Sequence, residues 1–166
     1  MVPSISWWAG KVRQFRSHVR ARVRPEERAG LATWLTPAQL ALFDSMHIAD
    51  RRHGLDVVAT LRNERVADDD LLVAGLLHDA GKGLTGVWPR VAYALGQTDR
   101  SWIWRIARIV PGSRSALARL RDHAETSARM AGEAGCSART VELIRHQDAP
   151  VDPGAGRALQ LADEAN

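Results

Sequence analysis

The sequence predicts an all-α protein. Three observations carry this. Apolar residues recur at three- and four-residue spacing through most of the chain. Helix-starting residues stand before several of those stretches, as at Thr36-Pro37 and Ser137. No run of alternating apolar and polar residues reads as a strand. With 166 residues, 45 % of them hydrophobic, the chain has the size of one domain with a real core.

The elements follow in order. Residues 1–35 form a basic N-terminal arm. Within it, "KVRQFRSHVRARVR" places Val12, Phe15 and Val19 at helical spacing, so a short amphipathic helix is expected. Next, Thr36 caps a helix with Pro37 at its first position and an apolar row of Leu40, Phe43 and Met46. A second helix runs through His53 with Val57, Val58 and Leu61 inward. The stretch "DDDLLVAGLLHDAGKG" opens on acids that suit a helix N-terminus and is stopped by Gly81 and Gly83. Residues 84–112 form an aromatic-rich insertion of one or two short helices, with three of the six Trp. A long helix from 113 carries Leu117, Leu120, Ala124, Ala128 and Ala131 and closes at Gly135. Ser137 caps a short helix, and "DPGAGRALQLADEAN" turns before a last one.

Charge is unevenly placed. The net charge is +4, yet residues 1–36 hold seven Lys or Arg against Glu26 and Glu27. The basic character therefore belongs to the arm. A solvated helix packed on the domain is the default for such a segment. Docking on an anionic membrane surface or on nucleic acid is the alternative, and Trp7 and Trp8 favour the membrane slightly. The Trp-rich segment could meet lipid in the same way, although apolar stripes at helical spacing usually face a core. Nucleic acid is not the expected partner. No apolar run reaches the roughly 18 residues of a membrane span, and no signal peptide is read at the N-terminus. The lone Cys136 excludes an internal disulfide and suits a reducing compartment, so a cytoplasmic location is expected.

The chemistry concentrates where "LLVAGLL" meets "HDAGKG", at residues 71–83. A helix this apolar belongs in the interior. A buried carboxylate is costly unless it is paired or bound to a metal. His78 beside Asp79 is thus either a mutually bonded pair at a helix end or part of a metal site. His53, His123 and His146 lie near apolar faces of three other helices, and Asp163 follows Leu159 and Leu161. Each alone is more often a satisfied core or surface residue. Together they have the composition of a ligand shell. Lys82 is one of two lysines in a chain with 23 Lys and Arg. It can neutralise charge on a phosphoryl oxygen or merely favour a helix C-terminus. Arg52 and Arg145 precede His53 and His146 and could meet phosphate, but surface charge is the preferred reading. His18 and His47 are left outside the site.

The ordered set His53, His78-Asp79, Asp163, with the run "HDAGK", resembles the HD superfamily of metal-dependent phosphohydrolases. The resemblance spans residues 36–166. It implies a helical bundle with the metal site where the core helices converge. His123 and His146 match the further pair of histidines in the two-metal members. The resemblance therefore implies two divalent transition-metal ions, of Fe, Mn, Zn or Co. Asp79 would bridge them, His53, His78 and Asp163 would hold one, and His123 and His146 the other. It also implies attack of a metal-activated hydroxide on phosphorus, with Asp79 and Lys82 as catalytic groups and a small phosphate substrate, a nucleotide or related ester. "RHQDAPVDPGAG" has Gln147 where the cyclic-dinucleotide phosphodiesterases of the family carry a second histidine, and it lacks their Gly-Tyr-Pro. The competing expectation is a non-catalytic metal- or nucleotide-binding module, a sensor or scaffold.

Overall fold

The computed structural model describes residues 21–83 and 122–166. The expected amphipathic helix of the arm and the Trp-rich segment fall almost entirely outside these residues. Among the described residues the protein is all-helical, with seven α-helices and one short 3-10 turn. They are α1 (Pro25–Leu31), α2 (Pro37–Ser45), α3 (Ile48–Asn63), α4 (Asp69–Leu77), the turn Ala80–Lys82, α5 (His123–Glu133), α6 (Ala138–Arg145) and α7 (Ala155–Ala165). None is long and apolar enough to cross a membrane.

Local signals set several helix starts. The Thr36 side chain accepts from Gln39 N while Gln39 Oε1 accepts from Thr36 N, a reciprocal cap. Asp68 caps α4 by accepting from Leu71 N, and Ser137 caps α6 by accepting from Thr140 N. His47 caps α3 through Nδ1, which accepts from Ala49 N. Two expectations are corrected. Helix α4 ends at Leu77 with His78 as its C-cap, ahead of Gly81, and Gly83 turns the chain with φ +62°. Helix α5 starts at His123, because Asp122 leaves the helical region at ψ 16°, and the expected part of this helix before residue 122 lies outside the described residues.

Helix α4 is the axis of the core. All residues from Leu71 to Leu77 are buried. Val57, Val58 and Leu61 of α3, Leu143 and Ile144 of α6, and Leu159 and Ala162 of α7 join it in one cluster. Leu31 and Leu35 are buried in that cluster, and Val23 packs on it. Residues from Val23 onward are thus part of the helical body, inside the expected arm boundary at residue 35. The arm's charges here are met by acids. Arg24 pairs with Glu27, and Arg28 with Asp44.

Close backbone approach fixes how α3 crosses α4. A Cβ on Gly54 would lie 2.5 Å from the Leu76 carbonyl oxygen, so only glycine fits without a shift of one backbone. This crossing sits one residue from His53 and two from His78. Replacing Gly54 by Ala gains up to about 1 kcal/mol of helix propensity. It forces an overlap costing about 1–3 kcal/mol. Gly54→Ala is therefore expected to lower the denaturation midpoint, whereas the exposed Gly132→Ala is expected to raise it slightly. A neutral or stabilised Gly54→Ala protein would contradict the tight crossing.

Candidate metal centre

The α3–α4 crossing sets the His53 and His78 rings edge to face, with centroids 5.2 Å apart. His78 is carried inward by the buried helix it ends and is 2 % exposed, as is Asp79. Helix α7 supplies the third element. Leu159, Ala162 and Asp163 occupy positions i, i+3 and i+4, so the face that buries the first two also presents the carboxylate. Leu161 lies off that face and is exposed.

One ligand atom from each of His53, His78 and Asp163 lies within 4.8 Å of the others, a group that could hold a metal ion. His53 Nε2 bonds Asp163 Oδ1 at 2.7 Å. His78 Nε2 is 3.3 Å from Asp163 Oδ1 and 3.4 Å from Asp79 Oδ1. Those separations give charge attraction, but His78 Nε2 and Asp79 Oδ1 make no hydrogen bond although both are buried. His78 Nδ1 is instead tied to the Gly75 carbonyl at 2.9 Å. That bond holds the proton on Nδ1 in a neutral ring and turns Nε2 toward the carboxylates, as ligating histidines are commonly held. The group opens to solvent at Asp163, whose side chain is 42 % exposed.

The turn Ala80–Lys82 builds the other side. Gly81 packs so closely on α5 that a Cβ would lie 2.5 Å from the His123 carbonyl oxygen. Its N–H donates to Ser127 Oγ at 2.8 Å. His123 Nε2 thereby comes to 3.8 Å from Asp79 Oδ1, and Lys82 Nζ to 2.5 Å from Asp79 Oδ2. Of the seven expected site residues, six are brought together in this way: His53, His78, Asp79, Lys82, His123 and Asp163. His146 is not. As the C-cap of α6 it turns outward, its side chain 41 % exposed and 3.3 Å from Glu142. It lines a surface cleft of about 250 Å³ with Arg139, Pro150 and Val151, which holds none of the other six.

Its neighbour Gln147 points inward in its place. Gln147 is 6 % exposed, with Nε2 at 3.1 Å from His123 Nε2 and 3.4 Å from the His78 carbonyl oxygen. Sequence reasoning noted Gln147 only as a missing histidine. It missed Asp50, which is 4 % exposed and whose charge reaches Lys82. Asp50 stands three residues before His53 on α3, a spacing that could have signalled it. Arg52 and Arg145 meet acids, as expected of surface charge: Arg52 binds Glu27 and Asp56, and Arg145 binds Glu125 and Glu142. His18 lies outside the described residues.

No protein-family model, curated protein or solved structure matches this chain. The chemistry follows from the side chains themselves. Imidazole with carboxylate suits Zn, Fe, Mn or Co better than calcium, which takes oxygen ligands only. A cation among His53, His78, Asp79 and Asp163 fits this set, because it would satisfy both the imidazole nitrogen and the carboxylate oxygen that lack a hydrogen bond.

The charges are strongly coupled. Burial alone would lower His78, but the carboxylates of Asp79 and Asp163 outweigh it and raise its pKa from 6.5 to about 9. Burial would raise Asp79, but His78, Lys82, His53 and His123 hold it below the ordinary carboxylate range. Asp163 is lowered in the same sense, burial being outweighed by His53 and His78. With protons as the only cations, His78 adds stability below pH 6.5 that is lost as pH rises to about 9. Asp79 and Asp163 add stability above pH 3.8 that is lost as pH falls below it. Melting temperature of metal-stripped protein should therefore decline on both sides of a mildly acidic optimum. Added manganese should abolish the alkaline decline, since it replaces the His78 proton. A metal-free profile that is flat between pH 6.5 and 9 would contradict this charge balance.

Proposed function

We propose that this chain is a metal-dependent phosphohydrolase of the HD kind, acting on a nucleotide or related phosphate ester. The observation that carries the reading is the convergence of His53, His78 and Asp163, with the buried Asp79 beside them. These are the residues on which the resemblance to the HD superfamily rests, and they come from separate elements of the chain. The lone Cys136 adds compositional support for a cytoplasmic setting.

When bound, a divalent ion supplies Lewis-acid polarisation of a phosphoryl oxygen and an acidified water. The chain's own groups do the rest. Gly75 holds the His78 ring in orientation through Nδ1. Asp79 divides its two oxygens, Oδ1 toward the histidines and Oδ2 on Lys82. The Lys82 side chain keeps 26 % exposure, so its ammonium can meet a phosphate arriving from solvent and neutralise charge developing on it. Asp163 leaves the mouth of the site open.

A non-catalytic binding module is favoured by one observation. His53 and Asp163 satisfy each other at 2.7 Å, as a purely structural pair would. Phosphate release separates the two readings. Tag-free protein, stripped and reloaded with Mn, Fe, Co or Zn, is offered nucleoside phosphates, dinucleoside polyphosphates and a nitrophenyl phosphodiester. Hydrolysis should fall about 1,000-fold in His78→Ala and Asp79→Asn, the loss of a several-kcal/mol metal contribution. Arg145→Ala should be unaffected. Bound metal with no hydrolysis of any substrate would move the assignment to the binding module.

A further inference from the structure

We infer that the centre holds one metal ion, and that the ammonium of Lys82 stands where a second would lie. This rests on the metal reading above and changes its composition. A two-metal site needs a bridging carboxylate with an oxygen for each ion, the ions lying about 3.5–4 Å apart. It also needs donors for the second ion. Among the described residues the one bridging candidate has an oxygen held by a lysine, and no free imidazole stands beside it.

Asp79 is the one carboxylate placed to bridge. Its Oδ1 faces His78 and His123, at 3.4 and 3.8 Å. Its Oδ2 is held by Lys82 Nζ at 2.5 Å. A second ion on Oδ2 must displace that ammonium or share a carboxylate with it, cation against cation in a buried setting. Asp50 adds its negative charge on the Lys82 side, which favours the ammonium there. In a chain that otherwise uses Arg, only Lys11 and Lys82 are lysines. A compact, freely rotating ammonium can occupy a metal-sized place, which a planar guanidinium cannot do as well.

The second ion's imidazole donors are also taken, and Gln147 Oε1, buried without a hydrogen bond, would leave it a single neutral oxygen. The Gln147 amide nitrogen, 3.1 Å from His123 Nε2, can only donate, so in the neutral ring with its proton on Nδ1 it engages the lone pair a metal would need. His146 is turned out to Glu142. Gln147 and Lys82 therefore close the second position together, one at the imidazole and one at the carboxylate. The phosphate would meet one metal ion and one ammonium, and Lys82 becomes a group that positions substrate as well as balancing Asp79.

Native mass spectrometry of the tag-free full chain, loaded to saturation with Mn²⁺ or Co²⁺, reads this directly. One ion is expected in the wild type and in His146→Ala, and none in His78→Ala. The paired substitution Lys82→Met with Gln147→His frees Asp79 Oδ2 and restores an imidazole, and should raise the count from one to two. Retention of the first ion reports that this variant still folds. A count that stays at one there overturns the assignment of Lys82. A wild-type chain that takes two ions overturns the inference and leaves the proposed function standing. A wild-type chain that takes none overturns both.

Discussion

The charge of Asp79 has to be balanced inside the protein. Its side chain is 2 % exposed, and a carboxylate so buried cannot stay ionised without cations or donors close by. They come from several elements: His78 at the end of α4, Lys82 from the turn that follows, His53 from α3 and His123 from the start of α5. Asp163 on α7 meets two of the same histidines. The helices must therefore converge on this point. Removing any one contributor leaves buried charge uncompensated, which is the costly case for such networks.

Two glycines make the convergence sterically feasible. Gly54 lets α3 lie against the carbonyl edge of α4, and Gly81 lets the 80–82 turn lie on the first turn of α5. Each adjoins a site residue within two positions. Backbone contact is stiffer than side-chain contact, so the imidazoles and carboxylates are positioned by main chain that cannot easily shift. That rigidity suits a centre whose ligands have to be preorganised. The apolar cluster around α4 supplies the matching burial, and His78 accepts the cost because it ends a helix buried from Leu71 to Leu77.

Division of labour within Asp79 sets the electrostatics of the mouth. One oxygen serves the buried histidine side and the other serves Lys82, so positive charge lies on both flanks of a single carboxylate and reaches solvent at Lys82. Under the proposed function, a phosphate arriving past Asp163 would meet that charge. The ammonium belongs to the fold, so the site keeps this positive charge whether or not a cation is bound.

Sequence alone determined the helical class, several caps and the core face of the helices, because these depend on residues three or four apart. It also marked His53, His78, Asp79, Lys82, His123 and Asp163, not one by one, since each alone reads more readily as a core or surface residue, but as an ordered set on the apolar faces of separate helices. Tertiary structure decided what depends on rotation at helix ends and on contacts across the chain. At the C-cap of α6 neighbouring residues diverge, so Gln147 turned inward and His146 outward, a choice no spacing rule distinguishes. The end of α4 at Leu77 and the start of α5 at His123 likewise follow from where the turn packs, which lies beyond any local signal. Asp50 and the commitment of Lys82 to Asp79 became visible only once residues from α3 and the 80–82 turn shared one low-dielectric interior, where a charge is defined by what surrounds it.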